Sequence, residues 1–355
     1  MRSTTALIAI LLAAPACSSD DSPGGSSGSD ATYQQEVLTG MHSALLTDVQ
    51  ALNAATIELQ AAAPTPADRG WNATQDATAI TAMTRAWLKA RAAYERTEGA
   101  LAPLFPMIDE AIDFRYDDFI AALDGGDQDL FDDQGVTGMH AVERILFAPQ
   151  IPAAVIEMES SLPGYKEAAW PKTAAEAQAF KTKLCAQLVK DTKLLADQWE
   201  QQTNFDLDGA FQGLIALMNE QREKVNKAAS QEEESRYAQR TLADLRDNLA
   251  GTERIYALFQ GWLRSKSQGD AIDTDIESSF ASLDRTYKGF AGDALPAPSA
   301  TWSSEHPSPA DLETPFGKLF SAVQKAVDPN VSGSAVDGMN RAASALGFHE
   351  LAEEE

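Results

Sequence analysis

The sequence predicts an all-α protein arranged as two four-helix bundles. Three observations predict it. Nearly every long segment repeats its apolar residues at the helical period, and almost none alternates as a strand does. Short breaks rich in Pro, Gly or Ser separate these segments, as antiparallel neighbours in a bundle require. The 355 residues are 44% hydrophobic, enough for a substantial core.

The N-terminus is expected to lie outside the fold. Arg2 precedes the apolar run "ALIAILLAA" (6–14), which is too short to span a membrane, and "APAC" follows, ending at Cys17. Residues 1–17 therefore read as a lipoprotein signal peptide with Cys17 lipidated, and ordinary secretion is the alternative. Residues 18–32 include "SSDDSPGGSSGSD", a tether too polar to pack a core. The expected location is outside the cytoplasm, lipid-anchored to a bacterial membrane facing the periplasm or in the outer membrane.

The first bundle is expected over 33–165. Helical period runs over 33–62 and stops at "APTPADRG"; it resumes over 74–101 and stops at "APLFP". "DEAIDFRYDDFIAAL" (109–123) ends at Gly125-Gly126. "GMHAVERILF" (138–147) ends at "APQIP", whose prolines cannot continue a helix. A looser segment around "SLPGYKEAAWPKT" leads into the second bundle, 166–350. Its helices are expected over 174–202, 208–229, 235–266, 272–291, 315–327 and 336–348, with a Pro/Ser-rich loop before the last two. "VERILFA" and "TERIYALF" form a faint internal echo, compatible with duplication.

Charge narrows the partners. Lys and Arg number 28 against 53 Asp and Glu, a net of −25. Such a surface repels nucleic acid and attracts cations. No His-Glu-x-x-His string, Gly-rich phosphate loop or Gly-x-Ser-x-Gly elbow is present. Cys185 reads as a small buried hydrophobe, and His42, His306 and His349 read as exposed bystanders.

Two helices carry polar groups on or beside their inward faces. Trp87, Tyr94 and Leu101 recur in steps of seven, and the companion positions, normally apolar, hold Arg91 and Glu98. Glu95 lies one turn from Arg91, and a plain helical ion pair between them is the structural alternative. On the second helix Met139, Val142 and Leu146 form the stripe, with His140 and Glu143 on its flank. An imidazole and a carboxylate three residues apart can converge on one ion, but other helices must complete the set. Glu95, Glu98, Asp113, Asp117 and Asp118 are the candidates from the first half.

"AWLKARAAYERTE", "IDFRYDDF" and "GMHAVERILF" together resemble the imelysin-like family, nearest its EfeO/EfeM-type periplasmic iron-uptake branch. "EEESRYAQRTLADLRDNLAGTERIYALF" and "TPFGKLF" in the second half agree. The resemblance implies a double helical bundle with a metal site built around His140 and Glu143, joined by Glu95, Glu98 and Asp113. It adds Glu233 or Glu234 from the second half. Ala238-Gln239 stand where relatives often carry Ser-His, which removes one second-half histidine.

The expected function is therefore extracytoplasmic capture of a metal ion, iron before zinc or another divalent cation, for delivery to a membrane permease. A metal-dependent peptidase is the alternative, and a structural or polysaccharide-binding lipoprotein is a third reading.

Overall fold

The computed structural model describes residues 29–116, 120, 127 and 129–351. The signal peptide, Cys17, most of the tether, Asp117 and Asp118 lie outside the described residues. Among the described residues the chain is helical and holds no strand, so the all-α reading stands. No described helix is long and apolar enough to cross a membrane.

Helix α1, Asp30–Ala62, is capped by the Ser29 hydroxyl and buries Met41, Leu45, Val49, Leu52 and Leu59 along one stripe. It packs against α2 (Ala77–Glu95), α8 (Cys185–Gln201) and α10 (Thr241–Arg264). Its first residue is clasped from the far end of α10. The Asp30 carboxylate accepts bonds from Lys266 Nζ (2.6 and 2.7 Å) and from the Trp262 indole (3.1 Å).

The expected helix over 74–101 is two helices. α2 stops at Glu95, and α3, Glu98–Leu101, follows a turn at Arg96 and Thr97. Tertiary contacts override the period here. Arg96 reaches sideways to Asp48 (3.0 Å) and Asp247 (3.3 Å), and the Gly251 backbone presses against Arg96 so closely that a Cβ there would lie 2.4 Å from its carbonyl oxygen.

Helix α4, Pro106–Asp113, starts on a proline; α5 is Gly138–Leu146. The segment expected to be looser holds a further helix, α6, Ala153–Ser160. After α7 (Ala174–Ala179), opened by a Thr173–Glu176 capping box, a wide turn over Phe180–Leu184 leads into α8. The expected division after residue 165 assigns α8 to the second bundle, whereas α8 packs on α1, α4 and α5.

The second set comprises α9 (Leu207–Asn226), α10, α11 (Gly269–Lys288), α12 (Pro309–Leu312), α13 (Pro315–Val327) and α14 (Ala335–Leu346). α11, α13 and α14 pack on one another, and α9 packs on α10, α13 and α14. α10 also packs on α1, α2 and α3, so it joins the two sets.

Cys185 is fully buried, and burial pushes its thiol well above the ordinary range, consistent with an inert core residue. His42 departs from its expected exposure. It stacks on Trp199 with ring centroids 5.8 Å apart, and its Nε2 lies 3.1 Å from the Trp199 carbonyl oxygen.

Candidate metal centre

Helix α5 is buried on every side, including His140, Glu143 and Arg144. Its first residue, Gly138, has φ +86°, and a Cβ there would meet the carbonyl oxygens of Ile112 at 2.7 Å and Ala111 at 2.9 Å. Only glycine lets α5 begin flush against the last turn of α4. The Trp87 indole holds the opposite side, donating to the Met139 carbonyl at 3.1 Å. This docking sets His140 beside Asp113, the last residue of α4.

Both oxygens of Glu143 are engaged. Oε2 lies 2.9 Å from His140 Nδ1, while Oε1 accepts the backbone N–H groups of Tyr237 (3.1 Å) and Ala238 (2.8 Å). With Nδ1 turned to a carboxylate, the ring presents Nε2 on its other edge. That nitrogen is buried and makes no hydrogen bond with a described residue. It faces Asp113 Oδ1 at 3.4 Å and Glu234 Oε1 at 3.7 Å. Ligand atoms of Asp113, His140 and Glu234 lie within 4.8 Å of one another, the one such group among the described residues.

A shell of ion pairs surrounds these three. The fully buried Arg91 guanidinium pairs with Asp113 and Glu95, reaches Glu234 Oε1 at 2.8 Å and has Asp244 Oδ2 3.9 Å from its Nε. Arg115 donates to Glu234 Oε2 at 2.8 Å. Lys224 lies 3.3 Å from Glu98 and 3.4 Å from Glu234. Asn248 donates to Glu95 Oε2 (2.6 Å) and Glu98 Oε2 (3.0 Å). The resident cations thus offset the repulsion among buried acids that would otherwise destabilise the fold.

The sequence-predicted residues therefore divide. Asp113, His140 and Glu234 converge. Glu143 stands behind the imidazole, while Glu95 and Glu98 are held by Arg91, Asn248 and Lys224. Glu233 turns to Gln239, whose amide donates to it at 3.2 Å. Sequence reasoning missed Asp244, Asn248 and Lys224. The signal for the first two was present: Asp244 and Asn248, four apart, interrupt the apolar stripe of α10 just as Arg91 interrupts that of α2.

Protonation follows from these contacts. Burial by itself lowers the pKa of His140, but the facing carboxylates of Asp113, Glu143 and Glu234 outweigh it and hold the imidazole well above its ordinary value. Burial raises Glu234, and Lys224, Arg115, His140 and Arg91 bring it well below the usual carboxylate range. Asp113 is lowered too, since Arg91 and His140 prevail over burial. Burial pushes Glu95 well up despite Arg91. Without a bound cation the centre is then an imidazolium between two carboxylates. A metal that takes Nε2 must displace that proton.

A cleft of about 250 Å³ opens onto the centre, with Asp113 and Glu234 in its wall beside Glu98, Glu220 and Lys224. Arg115, Glu223 and Lys227 complete its wall.

Known proteins are similar to this chain along most of its length. The imelysin family model matches residues 38–313. An imelysin-like protein from Psychrobacter arcticum 273-4 has a similar structure, with 13% identity, a TM-score of 0.58, and coverage of 89% of this chain and 97% of that one. At this identity the likeness shows the fold. A protein described as an iron-regulated protein A precursor, from Parabacteroides distasonis ATCC 8503, aligns at 13% identity over 91% of this chain and 95% of that one, with a TM-score of 0.49. No curated protein matches the chain.

Proposed function

Because the chain belongs to the imelysin family, we propose that it is an extracytoplasmic metal-binding lipoprotein, anchored through Cys17, that captures iron for delivery to a membrane permease. The observation that carries this reading is the convergence of His140 Nε2, buried and without a hydrogen bond among the described residues, with the carboxylates of Asp113 and Glu234. A cation at this point would take the place of the imidazolium proton and join the two carboxylates to the ring. Asp113, His140 and Glu234 are the first ligands, and Glu143 orients the imidazole. Hard carboxylate oxygens with one imidazole suit iron, and also zinc or manganese.

The iron-uptake branch is part of the same reading. Ala238-Gln239 departs from that branch, but the contact of the Ala238 backbone N–H with Glu143 does not depend on the side chain there. The peptidase alternative requires a free general base. Glu143 is occupied on both oxygens, which favours a binding role over hydrolysis.

Competition titration of metal-free protein against a chromophoric chelator tests the proposal. His140→Ala and Glu234→Gln should each bind ferrous iron at least ~10-fold more weakly than wild type, with helical content retained. Equal affinity in all three proteins would remove the proposed centre.

A further inference from the structure

A second cleft, of about 470 Å³, lies between α9, α14 and the turn that precedes α14. Asn219 and Arg222 contribute from α9, three residues apart on one face, and Asn340 and Arg341 from α14. The acidic cleft described above uses other residues of the same helix, Glu220 and Lys224. The two clefts therefore open on different faces of α9.

The groups in this wall are unequally satisfied. Its acids are engaged: Asp337 accepts the Gly333 N–H at 2.8 Å and pairs with Arg341 at 3.1 Å, and Glu350 bonds to Ser344. Arg341 also pairs with Asp275 at 2.9 Å. Arg222 is half-buried and forms no hydrogen bond or ion pair with any described residue. In a chain with 53 acidic and 28 basic residues, a sheltered guanidinium without a carboxylate is out of place. The side-chain oxygen of Asn219 is buried and has no hydrogen-bond partner among the described residues. Asn340 accepts the Leu351 N–H at 2.9 Å through Oδ1, which leaves its amide N–H donors uncommitted.

The open groups are thus one forked cation, one amide donor and one amide that lacks a partner for its oxygen. We propose that this cleft binds a small hydroxycarboxylate. Arg222 takes a carboxylate through two parallel N–H···O bonds. The Asn340 amide donates to a second carboxylate oxygen, and Asn219 Oδ1 accepts from the hydroxyl. The volume lies within the range of small-molecule sites.

Calorimetric titration of metal-free, full-length protein with L-malate and with succinate, which lacks only the hydroxyl, tests this site. Wild type should bind L-malate more tightly than succinate. Arg222→Gln should weaken both ligands at least ~10-fold, and Asn219→Ala should abolish the preference for L-malate. His140→Ala should leave both affinities unchanged, because the metal centre is elsewhere. Thermal melts of each variant establish that it folds. Absence of L-malate binding by wild type, equal binding by Arg222→Gln, or loss of binding in His140→Ala would overturn the proposal.

Discussion

Glu143 shows how one side chain serves two structures. One oxygen fixes the His140 ring, and the other holds the backbone of Tyr237 and Ala238. Glu143→Gln keeps the size but offers an amide donor to Nδ1, which favours the tautomer that carries its proton on Nε2. Iron affinity should fall ~10–100-fold with little change in helicity, as chelator competition and circular dichroism would register. Arg91→Met should instead destabilise the fold by about 3–5 kcal/mol, because it strands Asp113, Glu95 and Glu234 without their shared cation; chemical denaturation measures this. Much of the centre was legible at this scale. The Trp87–Tyr94 stripe marks Arg91 as inward-facing, and it is fully buried; the Arg91–Glu95 pair expected from spacing is also present. Spacing along one helix could not reveal that Arg91 also meets Asp113, 22 residues away, and Glu234, 143 residues away. Those partners are set by how helices dock, which local periodicity does not encode.

Among the elements, long amphipathic helices were readable and their interruptions were not. The helix over 315–327 matches Pro315–Val327, where Thr314 caps the start and proline follows. The helix expected from residue 235 begins only at Thr241. Residues 235–240 carry a helical pattern, yet Glu143 takes the N–H groups of Tyr237 and Ala238, and Gln239 adopts φ +54°. A buried carboxylate from another helix has thus outbid local propensity. Helix α6 was missed because it is short, although Glu159 within it receives Arg144 Nε at 3.0 Å. The close seat of α5 on α4 gives a prediction for this scale. Gly138→Ala places a Cβ against two carbonyl oxygens at positive φ, and should destabilise by ~1–3 kcal/mol. It should also weaken iron binding, since His140 moves off Asp113. A thermal melt and a titration read the two effects separately, and unchanged affinity would show that this seat does not position the imidazole.

Across the whole molecule the excess of acid shapes the response to pH. Burial outweighs the nearby Lys224 and raises Glu220 to about 7; it also raises Asp109 and Glu233 to about 7. Each then holds its proton more tightly folded than unfolded. Their contribution to stability is present near pH 4 and diminishes as pH rises toward 7. Glu220→Gln should flatten the decline in melting temperature between pH 5 and 7, and an unaltered slope would exclude Glu220 as its source. Iron binding should run the opposite way, strengthening as pH rises, because His140 must give up its proton. The clasp between Asp30 and Lys266 has a mechanical consequence. Helix α1, 33 residues and so roughly 50 Å long, lies against α2, α8 and α10. A pull along its axis from residue 30 loads those contacts together in shear rather than peeling them in turn, and the clasp is the first fastener to take the strain.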